Sequence, residues 1–268
     1  MTAKTSLPQG LEKYLTVRGA SLEKIENNEE FKAAGVTTHP HDSLGVNLPR
    51  FLELFENSGS ADFLGENGVE RTLDIAGANG DVALVFAMSG YEASVSDLTL
   101  PWARGPLVAS LLNEELNANL RVIDFDVDRH FDYADLEKNT FNAGQYNHVH
   151  ERSSFDLITC TGLLYHLKNP FAFLESVRKL TRYAIIGTQI VNYFPDGEQR
   201  IDETGLVYLL DRAELNQDPT NFWIFTNESF HRLARLCNFR VICEARAPYE
   251  KTPHSVPSEQ GYLLLEAV

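Results

Sequence analysis

From Arg71 onward, short apolar runs alternate with helical stretches, and no other feature constrains the fold as strongly. Strands separated in sequence by helices pair in parallel, with the helices covering the faces of the sheet. Strands are predicted at 71–76, 93–96, 121–125, 155–160 and 183–191, and helices at 82–88, 107–120 and 171–180. Phe171, Leu174, Val177 and Leu180 recur at three-residue steps, which gives the 171–180 helix one apolar face. The 82–88 helix is apolar almost all round and is expected to be buried. Asn227 is the predicted cap of a further helix over 228–236. Two last strands, 239–245 and 262–266, are joined by a loop alone and are expected to pair antiparallel.

Residues 1–68 lack strand patterning and are expected to carry short helices at 11–17 and 51–55. Domains are therefore drawn as an amino-terminal helical cap, 1–68, and a main domain, 69–268, with a polar insertion at 192–220. Hydrophobic residues make up 43% of the chain, enough for a sizeable core, so a disordered chain is excluded. Basic residues number 23 and acidic residues 38, a formal net charge of −15. A field of that sign repels phosphate polymers and anionic lipid, which disfavours nucleic acid and membrane as partners. Cys160, Cys237 and Cys243 show no C-x-x-C spacing and read as buried thiols of a reducing compartment, neither disulfides nor a metal site. The start of the chain lacks a signal-peptide core, and no run of about 18 apolar residues occurs, so a soluble, cytoplasmic protein is expected.

The segment Leu73-Asp74-Ile75-Ala76-Gly77-Ala78-Asn79-Gly80-Asp81 joins the first strand to its helix through small residues. Small side chains let a ligand approach the backbone, and the following helix offers N–H groups without intrahelical partners. A tight strand-to-helix turn would carry the same residues. A dinucleotide fold would need G-x-G-x-x-G here, and that spacing fails. Asp74 lies instead in the carboxyl end of the strand, where a carboxylate can face a cation such as an amino group. Asp97 ends the second strand, where it can accept both hydroxyls of a ribose or cap a turn.

These residues resemble the class I S-adenosylmethionine-dependent methyltransferases, whose first motif reads D/E-x-G-x-G-x-G. Asp74 to Gly80 matches it, with Ala76 and Ala78 at two positions where glycine is usual. The resemblance implies an α/β, Rossmann-like, seven-stranded and mostly parallel sheet with an antiparallel terminal hairpin, under a helical amino-terminal lid. It implies S-adenosyl-L-methionine as cofactor, held by Asp74, Ala76, Gly77 and Gly80, by Asp97 and Leu98 at the ribose, by Asp126 and Val127 at the adenine, and by Thr161. The stretch from Gly162 to Pro170 is similar to the G-V-L-Y-H-x-x-x-P signature of a subgroup that includes transferases modifying wobble uridine in tRNA. Asn221-Phe222-Trp223 is similar to an N-x-W/Y segment before the last helix of relatives.

Methyl transfer from a sulfonium is an in-line displacement, so positioning and exclusion of water supply much of the catalysis. His166 is the candidate base for an acceptor that must lose a proton, and Tyr165 the candidate contact to the methyl group or the acceptor. The same two residues could instead cap the next helix and pack on the cofactor. Asn221 and Trp223 are candidate acceptor-pocket residues, with core packing the alternative for Trp223. The pairs His39/His41 and His148/His150 have metal-ligand spacing but lie in polar, turn-rich segments, so no metal is expected. His39 and His41 remain candidate acceptor contacts through the lid. The expected activity is methylation of an O, N or S atom of a small molecule, with a homodimer allowed. Rival readings are a tRNA-modifying transferase, a non-catalytic cofactor binder, and a user of carboxylated cofactor through Arg104 or Lys168.

Overall fold

The computed structural model describes residues 4–33, 38, 43–99, 105–141, 154–194, 200–212, 214–248 and 258–268. The chain divides into two units, one built from residues 1–48, 67–126 and 131–159, the other from 49–66, 127–130 and 160–268.

The first unit begins with α1 (Leu7–Glu26) and α2 (Glu29–Ala33), and the chain leaves it within α3 (Ser43–Asn57), while α4 (Phe63–Glu66) belongs to the second. It continues through β1 (Arg71–Ile75), α5 (Asp81–Met88), β2 (Glu92–Asp97), α6 (Gly105–Leu116), β3 (Arg121–Asp124), α7 (Tyr133–Lys138), β4 (Thr140–Phe141) and β5 (Phe155–Thr161). Strand order is β4-β3-β2-β1-β5. β1 and β2 pair in parallel from Arg71↔Glu92 to Ile75↔Ser96, and β2 and β3 in parallel from Ser94↔Arg121 to Asp97↔Asp124. The order reverses at β1, whose neighbours are β2 on one side and β5 on the other. Ligands of open α/β sheets bind at the carboxyl ends of strands at such a reversal. All five residues of β1 are buried, as a strand covered on both faces requires.

α1 runs for twenty residues, well beyond the predicted 11–17. Its start was hidden because the face it buries includes Gly10 and Ser21 beside Leu7, Tyr14 and Ile25, a pattern with little apolar contrast. Pro8 sits in the first turn, and the Gln9 side chain accepts from the Ser6 N–H at 3.4 Å.

In the second unit α8 (Pro170–Leu180) precedes β6 (Thr181–Ile190), β7 (Val207–Leu209), β8 (Trp223–Phe225), α9 (Asn227–Leu236), β9 (Phe239–Pro248) and β10 (Glu259–Ala267). β10 pairs antiparallel with both β9 and β6, the predicted terminal hairpin. Seven strands of four residues or more are present among the described residues, and three shorter ones accompany them. Two predictions need correction. The cap of α9 is Thr226, extended at φ −72°, ψ 159°, with its Oγ1 accepting from the Ser229 N–H; Asn227 is already helical and donates instead to Glu244. The 192–220 insertion is more than polar loop: Val191, Ile201, Leu210, Leu215 and Ile224 bury a small core beneath it.

Cys160 and Cys237 are buried and Cys243 is half-buried, all three as thiols. Burial pushes the Cys237 thiol up to about 12 and that of Cys243 to about 11, so neither is a nucleophile near neutrality. No helix among the described residues is long and apolar enough to cross a membrane.

Candidate active site

The loop after β1 follows the backbone course that glycine would give it. Ala76, Ala78 and Gly80 all take positive φ, at 58°, 51° and 81°. An L-residue in this region costs roughly 1–2 kcal/mol, so both alanines are held there against their preference. Gly77 between them admits no side chain, because a Cβ there would lie 2.5 Å from Val95 Cγ2 and 2.6 Å from Asp74 Oδ2. A Cβ on Gly105, at the start of α6, would come within 2.5 Å of the Ala78 carbonyl oxygen. The Gly77 N–H donates to the Ser96 carbonyl at 3.2 Å, tying the loop to the end of β2.

Asp97 completes that tie. The Ala78 N–H donates to its Oδ2 and the Leu98 N–H to its Oδ1, each at 2.6 Å. Burial raises the Asp97 pKa and these two hydrogen bonds oppose the shift. Its register partner on β3, Asp124, accepts from the backbone N–H of Thr99 at 2.9 Å and from its hydroxyl at 2.6 Å. Asp74 lies below the loop, 5% exposed, and its Oδ1 accepts from Thr159 Oγ1 at 2.7 Å. Burial pushes its pKa up to about 7; the Thr159 hydrogen bond opposes this, and Asp97 and Asp81 add to it. Leu98 and Asp126 are exposed, in the same unit. The first unit therefore brings Asp74, Ala76, Gly77, Gly80 and Asp97 to one place, at the carboxyl ends of β1 and β2.

Three further residues of this unit had no role in the sequence reading. Asp81, 1% exposed at the start of α5, accepts from the Tyr14 hydroxyl and from Arg18 Nε, both at 2.6 Å. Tyr14 and Arg18 lie four positions apart on one face of α1, a spacing that could have suggested a shared partner. Burial and the Asp81 charge raise the Tyr14 pKa, and the hydrogen bond to Asp81 raises that of Arg18.

The second unit joins the two other motifs. Leu164–His166 form one 3-10 turn, and residues 220–223 grip it at successive positions. The Phe222 N–H donates to the Tyr165 carbonyl at 2.8 Å, and the Trp223 indole N–H to the Leu167 carbonyl, also at 2.8 Å. His166 Nδ1 lies 3.0 Å from Thr220 Oγ1 and 3.2 Å from the Thr220 carbonyl oxygen. Tyr165 is buried, with its ring 4.4 Å from the His166 ring. Asn221 is buried too, donating from Nδ2 to the Leu215 carbonyl at 2.9 Å. Thr161 is half-buried and Val127 buried, both in this unit. Lys168 is exposed with Nζ 4.0 Å from Asp128 Oδ2. His39, His41, Arg104, His148 and His150 lie outside the described residues.

Comparisons with known proteins bear on what this arrangement serves. The family model for a methyltransferase domain matches residues 43–244. The N-terminal domain of EvdMO1 in the presence of SAH and D-fucose is 15% identical, with 86% of this chain and 85% of that one covered at a TM-score of 0.54. The same domain with SAH bound gives 15% identity, coverage of 81% and 79%, and a TM-score of 0.51. The 1,6-didemethyltoxoflavin-N1-methyltransferase of Burkholderia thailandensis gives 13%, 100%, 94% and 0.48. No curated protein sequence matches the chain. The first two likenesses bear on the fold, and the family model on the chemistry. With its mixed α/β, Rossmann-like architecture, the chain belongs to the methyltransferase domain family.

Proposed function

We propose that the protein transfers a methyl group from S-adenosylmethionine to an O, N or S atom of a small-molecule acceptor. The observation that carries this is the loop of residues 76–80, with three left-handed residues and its Ala78 N–H bound to Asp97 at the end of the neighbouring strand. The residues fit the cofactor. Gly77 and Gly105 admit no side chain, so the loop is packed tightly against β2, Asp74 and the start of α6 and its course is fixed before a ligand arrives. Asp97 keeps lone pairs on both oxygens for ribose hydroxyls after its two backbone bonds. Asp74 and Asp97 together suit a cofactor whose amino and sulfonium groups are cationic, and the similarly folded EvdMO1 domain binds SAH, the product of such a cofactor. Leu98, Asp126, Val127 and Thr161 complete the cofactor set.

When bound, S-adenosylmethionine supplies an electrophilic methyl group. The chain then has to orient the acceptor, exclude water and take up a proton if the acceptor carries one. His166 is the proton acceptor in this reading, and Tyr165 the contact to the methyl group or the acceptor. Asn221 and Trp223 are the acceptor-pocket residues, while the Phe222 N–H and the Trp223 indole hold the turn that carries His166. In this reading residues 1–68 are the lid and 69–268 the transferase domain with its insertion at 192–220.

The Gly162–Pro170 stretch supports a second reading, a transferase modifying wobble uridine in tRNA. A net charge of −15 opposes it. Calorimetry with S-adenosylmethionine, S-adenosylhomocysteine and a nicotinamide dinucleotide tests the first reading, which expects heat with the first two alone. Labelled cofactor incubated with metabolite and tRNA fractions of a cell extract then separates the acceptors. Label in tRNA would favour the second reading.

A further inference from the structure

The contacts around His166 determine more than its location. Thr220 presents two oxygens to the same ring nitrogen, its carbonyl at 3.2 Å and its hydroxyl at 3.0 Å from Nδ1. The carbonyl can only accept. The hydroxyl has one hydrogen, and that hydrogen is committed elsewhere: Thr220 Oγ1 donates to Asp218 Oδ1 at 2.6 Å. Toward His166 the hydroxyl therefore offers a lone pair. A nitrogen facing two acceptors carries the proton, and in a neutral imidazole the lone pair then falls to the other nitrogen. We propose that Thr220 and Asp218 are positioning residues that hold His166 in the Nδ1–H tautomer and make Nε2 its basic atom. The assignment deepens the reading of His166 as a base and rests on it for its catalytic meaning.

The geometry behind it is local and redundant. Asp218 Oδ1 also accepts the Thr220 N–H at 2.8 Å, so one carboxylate oxygen fixes both the backbone and the hydroxyl rotamer of Thr220. On either side of His166, the carbonyls of Tyr165 and Leu167 are held by Phe222 and the Trp223 indole. The ring thus sits on a short segment whose two neighbours are pinned to the same loop that supplies its tautomer. An acceptor O–H or S–H proton transferred to Nε2 leaves the acceptor oxygen or sulfur with its electron pair and the ring as an imidazolium. Both ring nitrogens are then protonated, Nδ1–H still faces Thr220, and the Asp218 carboxylate lies one hydroxyl away from the new charge. After turnover the Nε2 proton passes to water.

Long-range proton–nitrogen NMR on the full chain reads the tautomer without any substrate. The His166 signals are identified by their loss in His166→Gln. Above the ring's titration, wild type is expected to show the Nδ1–H pattern, and Thr220→Ser should preserve it. Asp218→Ala frees the Thr220 hydroxyl to donate to Nδ1 and should move the ring toward the Nε2–H form. Thr220→Val, which keeps the carbonyl acceptor and has no hydroxyl to donate, should retain Nδ1–H, with thermal melts checking that each variant is folded. A wild-type ring in the Nε2–H form overturns the assignment, and so does an unchanged Nδ1–H pattern in folded Asp218→Ala. His166→Gln turnover, measured separately on an identified acceptor, tests the base reading alone: full turnover would remove His166 as the base while leaving the tautomer result standing.

Discussion

Thr159 donates its hydroxyl hydrogen to Asp74 Oδ1 at 2.7 Å, linking β5 to β1 beneath the 76–80 loop. This one hydrogen bond does not offset the loss of water around a carboxyl group that is 5% exposed, and the Asp74 pKa is pushed up to about 7 from an ordinary 3.8. Between those two values the folded chain holds a proton that the unfolded chain does not. Asp74 therefore makes stability fall as pH rises from about 4 to about 7, and the full cost remains above that window. Asp74→Asn removes the charge and keeps an acceptor for Thr159. Its melting temperature relative to wild type is expected to be higher at pH 8 than at pH 5; an equal difference at both would show that Asp74 does not titrate between them.

The same raised pKa gives cofactor binding a proton signature. A cationic group brought near Asp74 favours the carboxylate and lowers its pKa. Binding of S-adenosylmethionine at pH 6.5 should then release a fraction of a proton. Calorimetry in two buffers of different ionisation enthalpy would detect it as a difference in observed heat. Proton uptake on binding would place the cofactor's cationic groups away from Asp74.

Ala76 and Ala78 sit at φ 58° and 51°, where glycine is at ease and alanine is strained. The strain relieved by Ala→Gly is roughly 1–2 kcal/mol, and the extra backbone entropy of glycine returns about 0.5–1 kcal/mol of it. Ala76→Gly and Ala78→Gly should each stabilise the protein by about 0.5–1 kcal/mol in chemical denaturation, with cofactor affinity retained. Destabilisation by either change would mean that the alanine methyl packs better than its backbone angle costs.

Where hydrophobic contrast was strong, the fold was legible in the residues themselves. The apolar runs of β1, β2, β3, β5 and β6 and the apolar stripe of α8 alternate in a way that few other folds permit. The apolar pattern marks only part of α1, because the helix buries Gly10, Tyr14 and Ser21, residues that carry little apolar signal. Asp74 and Gly77 stand in one short loop and Asp97 at the end of the next strand, so each was visible as a local residue type, and the fold brings Asp97 onto the loop through the Ala78 N–H. Thr159, Thr220 and Asp218 were not, since their roles exist only once β5 lies beside β1 and the 218–223 loop folds onto the 164–167 turn. Asn221 shows the limit from the other side: its motif was visible, yet its amide donates to Leu215 within its own loop.

Arg18 and Tyr14 fasten α1 to Asp81, which is 1% exposed. Removing either donor leaves a buried carboxylate with one partner fewer. Arg18→Met and Tyr14→Phe should each cost about 1–3 kcal/mol, the Arg18 value reduced because its side chain is partly exposed. Because both act on one carboxylate, their effects should not add, and the double variant should show a coupling of about 0.5 kcal/mol or more. Wild-type stability in both single variants would mean that α1 is held by its apolar contacts alone.

Asp97 has two duties in the proposed reading, and a variant must separate them. It braces the loop by accepting from the Ala78 and Leu98 N–H groups, each at 2.6 Å, and it is assigned to the ribose hydroxyls. Asp97→Ala should weaken S-adenosylhomocysteine binding by about 1–3 kcal/mol, the range for a hydrogen bond to a charged group. Loosening of the loop alone could produce that loss. Asn is no milder a control, since its amide hydrogens would confront one of the two backbone donors. The ligand can be changed instead. An S-adenosylhomocysteine analogue lacking the 2′ and 3′ hydroxyls should bind wild type more weakly than the parent. To Asp97→Ala, parent and analogue should bind alike, because the partner of the missing hydroxyls is gone. If the analogue loses the same factor on both proteins, Asp97 only braces the loop, and the ribose is held by another residue.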